Sequence, residues 1–269
     1  MKYILTEQDD ELSRRHDEMQ WYNRIPQALE ADRFILYAQT IEPIKPEPNT
    51  KLRFEILIRI KGESGEIIPP GAFMPAAERY NLASSIDRWV IETTLDWLAS
   101  TPGALDKLEL CAINLSGQSL GDPLFCSFVI AQLERCRVPA EKICFELTES
   151  AVVTNLANAF EFMKKLGAHG CRFALDDFGS GLSSLGYLKT LPVDILKIDG
   201  LFVRNIMDDP VELALVRSIN EIAQLLGKKT IAEYVENEGV LDQLRLLGVD
   251  YVQGYGVGVP VPLHLLQIN

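Results

Sequence analysis

Cys171-Arg-Phe-Ala-Leu-Asp-Asp-Phe-Gly-Ser-Gly-Leu-Ser-Ser-Leu185 sets a short apolar run against two adjacent carboxylates and a loop punctuated by Gly179 and Gly181. Phe173, Ala174 and Leu175 suit a buried strand, whereas Asp176 and Asp177 are costly there unless they emerge at its end beside cations or donors. Taken alone the stretch reads equally as a strand end and turn, since Asp, Gly and Ser all favour turns. Its recurrence along the chain decides the fold.

Before it, residues 7–32 are charged and helix-favouring, with Leu12, Met19, Tyr22, Ile25 and Leu29 interspersed. This is a lead-in helix, either packed on the domain or a remnant of a connection to an upstream one. The division that follows is 1–20 as lead-in helix or linker and 21–269 as the functional domain. Arg33 to Ile44 reads as the first strand, and Pro43, Pro46 and Pro48 mark a loop. Lys51 to Ile60, Leu108 to Leu115, Lys142 to Leu147, Val193 to Ile198, Thr230 to Ala232 with its flanks, and Val249 to Gln253 are strand-like. Between them Pro70 to Asn81, Ile86 to Ser100, Asp122 to Arg137, Leu156 to Leu166, Val211 to Leu226 and Val240 to Leu247 are helical. Trp89, Val90, Thr93 and Trp97 recur at helical spacing as a core face.

Strands alternating with amphipathic helices point to a parallel α/β sheet, and the count fits a closed (β/α)8, TIM-like barrel better than an open sheet. Segment 43–50 is too short for a parallel crossover, so the first strand is predicted to pair antiparallel with the second. No Gly-x-Gly-x-x-Gly follows an early strand and no Walker-type loop appears, which removes support for dinucleotide and P-loop folds.

Composition narrows the chemistry. The 269 residues carry 38 Asp and Glu against 26 Lys and Arg, a formal net charge of −12, which disfavours DNA binding. No apolar run reaches the roughly 18 residues of a membrane span, and the start lacks a signal-peptide core. Cys111, Cys126, Cys136, Cys144 and Cys171 show no CxxC spacing and sit mostly in apolar segments, as reduced cysteines of a cytoplasmic protein do. His16, His169 and His264 lie far from the acidic clusters, so a His/Cys zinc site has little support.

The strand ends carry Glu55 and Arg59, then Asn114, Glu146 with Glu149 beyond, Asp176 with Asp177, Lys197 with Asp199, Glu233 with Glu236, and Gln253. In a barrel those ends converge on one face. Each has an ordinary structural explanation; their coincidence does not. So many carboxylates require compensating charge. With oxygen donors from Glu55, Asn114, Glu146, Asp176 and Asp177, the compensation is expected to be magnesium or manganese. Two adjacent aspartates suit a pair of ions about 3.5–4 Å apart that activates water against a phosphoester. Lys197 would orient or help deprotonate that water, and Arg59 would grip a phosphate.

These residues resemble the EAL-domain cyclic-diguanylate phosphodiesterases. Glu55-Ile-Leu-Ile-Arg59 stands for the name motif, with Ile56 in place of Ala or Val. Asn114-Leu-Ser116, Glu146-Leu-Thr-Glu149, Asp176-Asp-Phe-Gly-Ser-Gly-Leu-Ser-Ser-Leu185, Lys197-Ile-Asp199, Ala232-Glu-Tyr-Val-Glu236 and Gln253-Gly-Tyr255 follow in order. The resemblance covers about residues 21–265. It implies a barrel with an antiparallel first strand and hydrolysis of cyclic di-GMP to linear pGpG in bacterial second-messenger signalling, with two Mg2+ or Mn2+ ions. On this resemblance Glu55, Asn114, Glu146 and Asp176 bind the first metal, and Asp176 and Asp177 serve the second. Lys197, Glu233, Glu236 and Glu149 form the catalytic set, Glu149 by anchoring the loop after Asp177. Arg59, Leu57, Gln39, Asp199 and Gln253 are the substrate-binding positions. A homodimer through that loop and the adjacent helix, and an upstream sensory or GGDEF-type domain, are implied as partners.

Three departures bear on the loop and substrate more than on metal binding. Leu182 replaces a usual Tyr, Tyr234 a more common Gly, and Gly256-Val-Gly-Val-Pro260 lacks the aromatic-Ser-Arg/Lys run. Two rival readings follow: a cyclic di-GMP receptor that does not cleave, and a Schiff-base aldolase using Lys197. Neighbouring negative charge opposes the second by holding the ammonium form.

Overall fold

The computed structural model describes residues 7–45, 51–179 and 186–268. Among them eight strands make the barrel wall: β1 Phe34–Thr40, β2 Leu52–Lys61, β3 Leu108–Asn114, β4 Ile143–Thr148, β5 Arg172–Phe178, β6 Ile195–Ile198, β7 Lys229–Ala232 and β8 Tyr251–Val252. From β2 to β8 each strand pairs in parallel with the next. β1 runs antiparallel to β2, with Gln39 opposite Glu55. Its continuation, Glu42–Pro43, pairs antiparallel with β8, which brings the sheet round on itself. The antiparallel first strand thus follows from the short connection, as the sequence predicts.

Helices Ala83–Ser100, Phe125–Cys136, Leu156–Ala168, Pro210–Leu225 and Glu238–Leu247 cover the outside. Each lays an apolar stripe on the sheet, as Ile86, Val90, Ile91, Leu95 and Leu98 do from the first of them. Trp89 and Trp97 belong to this layer, their rings 5.5 Å from Phe34 and 6.1 Å from Phe54. The lead-in helix, Glu7–Glu30, docks its last turns, with Ile25 and Ala28 buried and the Trp21 ring 5.9 Å from Phe73.

A second, smaller core fills the barrel itself. Ile41, Leu110, Ala112, Cys144, Ala174, Ile195 and Ile231 cluster there apart from the sheet–helix layer. Side chains two apart on a strand share a face. One step of two residues beyond these apolar positions, the same inward face therefore presents Asn114, Glu146, Asp176, Lys197 and Glu233. The apolar plug is the floor on which the polar cluster stands.

Candidate active site

At the centre of that cluster Lys197 is 1% exposed. Its Nζ lies 2.8 Å from Glu146 Oε2, 2.8 Å from Glu233 Oε1, 3.2 Å from Asp176 Oδ1 and 3.3 Å from Glu55 Oε2. Four carboxylates from four strands thus converge on one ammonium. Glu55 is held further by the Asn114 amide, donating at 2.6 Å, and the Gln253 amide at 2.7 Å.

One cation cannot keep four acids ionised in a buried site. Burial alone would raise Glu55, but Lys197 and the Gln253 and Asn114 amides override it and hold this carboxyl below its ordinary value. Burial, with Glu55 and Asp176 nearby, lifts Glu146 well above the carboxylate range despite Lys197. Burial likewise pushes Glu233 up to about 8. Lys197 is itself desolvated, yet the surrounding acids, Asp176 foremost, hold its ammonium form far above the usual lysine range. The ammonium is a hydrogen-bond donor to the acids that surround it.

The paired aspartates reach one site through a backbone irregularity. Adjacent strand residues ordinarily point to opposite faces. Here Leu175 pairs with Leu196 and Phe178 with Ile198, so β5 carries one extra residue between these pairs. Asp177 takes φ 53°, in the left-handed region that non-glycine residues seldom enter. This bulge re-aims it, and ligand oxygens of Asp176, Asp177 and Glu233 come within 4.8 Å of one another. Burial, and then Asp176 and Asp199, raise Asp177 to about 6.

Above the cluster opens a cavity of about 570 Å³. Asp176, Asp177, Glu233 and Glu236 line its acidic side, and Gln39, Leu57, Arg59 and Gln253 its other side. Gln253 bridges Glu55 to Gln39, donating to the Gln39 carbonyl oxygen at 3.2 Å, and the Gln39 amide donates to the Gly258 carbonyl at 2.9 Å. Arg59 keeps its guanidinium 5.6 Å from the Tyr37 ring centroid.

Supports lie beyond the cavity. Glu149, 4% exposed, accepts from the Gly179 N–H at 3.1 Å and from the Tyr187 hydroxyl at 2.5 Å. One carboxylate thus holds both flanks of segment 180–185, which with Leu182 lies outside the described residues. Asp87 accepts from the Ser116 N–H and hydroxyl and the Ser119 hydroxyl at 2.9, 2.7 and 2.6 Å, fixing the turn two residues past Asn114. Burial pushes Asp87 up to about 6 in spite of these donors. Asp199 accepts from the Leu201 N–H at 2.9 Å and caps the Gly200–Val203 turn.

The structure therefore gathers Glu55, Asn114, Glu146, Asp176, Asp177, Lys197, Glu233 and Gln253 at one point, with Glu236, Arg59, Leu57 and Gln39 around the cavity. Glu149 and Asp199 stand behind it as anchors. Sequence reasoning passed over Asp87, Tyr187 and Arg204, the last of which lines the cavity. None of the three leaves a periodic signal, because each acts through a contact distant in sequence.

The donors suit a hard divalent cation. All are oxygens, and Glu146 Oε1 and Asp176 Oδ1 are buried without a hydrogen bond, the latter 3.2 Å from the Lys197 ammonium.

Comparison with known proteins gives the family. Residues 22–260 match the EAL domain. "Cyclic di-GMP phosphodiesterase PdeB" of Shewanella oneidensis is 39% identical over 261 residues, covering 97% of this chain and 30% of that protein. "Cyclic di-GMP phosphodiesterase PdeF" of Escherichia coli is 40% identical over 247 residues, 92% of this chain and 32% of that protein. The chain thus spans about a third of the length of these relatives. Among solved structures, the PaMucR phosphodiesterase in complex with c-di-GMP superposes with a TM-score of 0.85 at 30% identity, over 92% of this chain and all of that one. The FimX EAL domain of Pseudomonas aeruginosa bound to c-di-GMP gives 0.82 at 29%, over 89% and 96%. With the barrel, the acidic cluster and this match over most of its length, the chain belongs to the EAL domain family.

Proposed function

We propose that this chain hydrolyses cyclic di-GMP to linear pGpG in a metal-dependent reaction. The observation that carries this reading is the convergence of Glu55, Glu146, Asp176 and Glu233 on the single buried ammonium of Lys197, below a cavity of about 570 Å³. That volume lies in the usual range for small-molecule sites. Glu55, Asn114, Glu146 and Asp176 would hold one Mg2+ or Mn2+, and Asp176 and Asp177 a second. Bound there, the ions supply Lewis acidity that polarises the phosphodiester and lowers the pKa of water.

The chain's own residues do the positioning. Arg59, at the cavity wall, is placed to grip a phosphate oxygen through its planar fork. Lys197 orients the attacking water or helps deprotonate it, and its ammonium form would donate to a developing oxyanion. Glu233 and Glu236 hold solvent at the acidic wall, and Gln253 keeps Glu55 and Gln39 in register. Leu57, Gln39 and Gln253 bound the substrate opposite; Asp199 acts by ordering the turn behind them. Glu149 holds the flanks of the loop that follows Asp177.

A second copy docking beside this loop is part of the proposal, supported by the exposed Leu201, Met207, Val211 and Leu215. An upstream sensory or GGDEF-type domain is supported by the greater length of the relatives. A cytoplasmic setting is supported by five free cysteines, and no described helix is long and apolar enough to cross a membrane.

The test is incubation of the purified chain with cyclic di-GMP and Mg2+ or Mn2+, with chromatographic detection of pGpG. A folded chain that yields none with either ion overturns the reading. A non-cleaving receptor is the second reading, supported by the FimX EAL domain solved with c-di-GMP bound. Tight binding without turnover would establish it instead.

A further inference from the structure

Tyr234 occupies a backbone conformation that its side chain resists. Its φ is 53°, in the left-handed region, where a Cβ crowds the following carbonyl oxygen and residues other than glycine are disfavoured. Such conformations persist where the surrounding structure enforces them, and they concentrate at ligand sites. Tyr234 also follows Glu233 directly, so its ring rises from the residue next to the acidic cluster. Tyr234 is 50% exposed and lines the cavity.

The ring is held on one short turn of chain. Any side chain at Gly200 would collide with it, because a Cβ there would fall 1.9 Å from Tyr234 Cδ2. One turn further on, the Arg204 guanidinium lies 4.1 Å from the ring centroid, and Arg204 lines the same cavity. Glycine backbone and guanidinium thus fix the orientation of the aromatic plane. Flat π surfaces of this kind, Tyr rings and Arg guanidinium planes alike, are what nucleobases stack on.

We infer that Tyr234 and Arg204 form a stacking shelf for one of the two bases of a cyclic dinucleotide. This rests on the proposed function and adds a recognition element to it. The acidic floor takes the phosphodiester end of the ligand, and the shelf takes a base at the cavity wall. Because every base has a π face, the shelf contributes affinity and orientation; hydrogen-bonding groups elsewhere would set base identity.

The experiment compares wild type with Tyr234→Phe, Tyr234→Leu and Arg204→Gln in the full chain, each checked for folding by its thermal melt. Two readouts are used: the split between KM and kcat for cyclic di-GMP, and the fluorescence of a cyclic dinucleotide carrying 2-aminopurine in place of one guanine. Tyr234→Leu is expected to raise KM about five- to tenfold, to lower kcat by less than half, and to abolish most of the 2-aminopurine quenching. Tyr234→Phe keeps the ring and should restore both, while Arg204→Gln raises KM about two- to threefold. A wild type that neither binds nor cleaves the dinucleotide removes the functional reading and the shelf with it. A wild type that cleaves it, beside a folded Tyr234→Leu variant with equal KM and equal quenching, removes the shelf alone.

Discussion

The two ends of the barrel handle charge in opposite ways. At the end where the strands begin, ion pairs join opposite charges: the buried Arg53 meets Glu109 at 2.7 Å and stacks 4.8 Å from the Tyr251 ring, and the exposed Lys229 meets Asp250 at 2.7 Å. Lys228 donates to the Val193 carbonyl at 2.7 Å, and Asp194 accepts from the Phe173 N–H at 2.8 Å. At the end where the strands finish, four acids share one lysine. Both ends are polar and both enclose a cavity, about 290 Å³ at the first and 570 Å³ at the second. Only the second crowds four like charges round a single buried counter-ion. Polarity alone thus does not mark a site; several like charges gathered into one buried cluster do.

The sharpest way to break this contrast is at the acids. Glu55→Ala or Asp176→Ala should lower pGpG formation at least about a hundredfold while the far-ultraviolet circular dichroism stays native, since each change removes a proposed metal ligand and little packing. Near-normal turnover in either would take that residue out of the ligand set.

Lys197→Met tests the charge balance itself. Removing the one cation from a buried acidic cluster should cost about 3–5 kcal/mol in EDTA, on the order of 10 °C in Tm. Mn2+ should recover more of that loss in the variant than it adds to wild type. Equal melts in EDTA would mean that the cluster needs no cation. The matched change at the other end, Arg53→Met, should cost about 2 kcal/mol by breaking a half-buried pair, with kcat and KM within twofold of wild type and no rescue by Mn2+.

The smallest effect concerns pH. Burial raises Asp87 from 3.8 to about 6, Asp177 from 3.8 to about 6, and Glu233 from 4.5 to about 8. In EDTA the native chain therefore holds protons that the unfolded chain has already released. The stability they confer is complete below pH about 4 and is lost as pH rises through about 6 and then about 8. Denaturant midpoints at pH 5, 6.5 and 8 should fall in that order. Asp87→Asn should flatten the first step, by at most about 3 kcal/mol. A midpoint that rises with pH would contradict these shifts.

Most of this barrel is legible in the sequence because its signals are periodic. Runs such as Leu110, Ala112 and Asn114, or Ile195 and Lys197, show the inward face turning from apolar to polar, and the short segment after Ile44 fixes the direction of the first strand. Elements too short for a period escape: the Gly200–Val203 turn and the Val261–Pro262 strand, which pairs with β1, are built from contacts the local sequence does not encode. The polar strand ends identify the cluster but not its arrangement. That Lys197 touches four acids, that Glu149 reaches both Gly179 and Tyr187, and that Asp87 steadies the turn after Asn114 depend on distances across the barrel mouth. The left-handed turns at Asp177 and Tyr234 are hidden for another reason: neither residue is the glycine that would announce one.

The extra residue in β5 makes the site a matter of counting. A strand that kept strict pairing from Leu175 through Phe178 would send Asp176 and Asp177 to opposite sides of the sheet, whatever their identity. Deleting either aspartate between Leu175 and Phe178 would restore the ladder and leave one carboxylate beside Lys197 where there are now two. For this segment the number of residues matters as much as their identity.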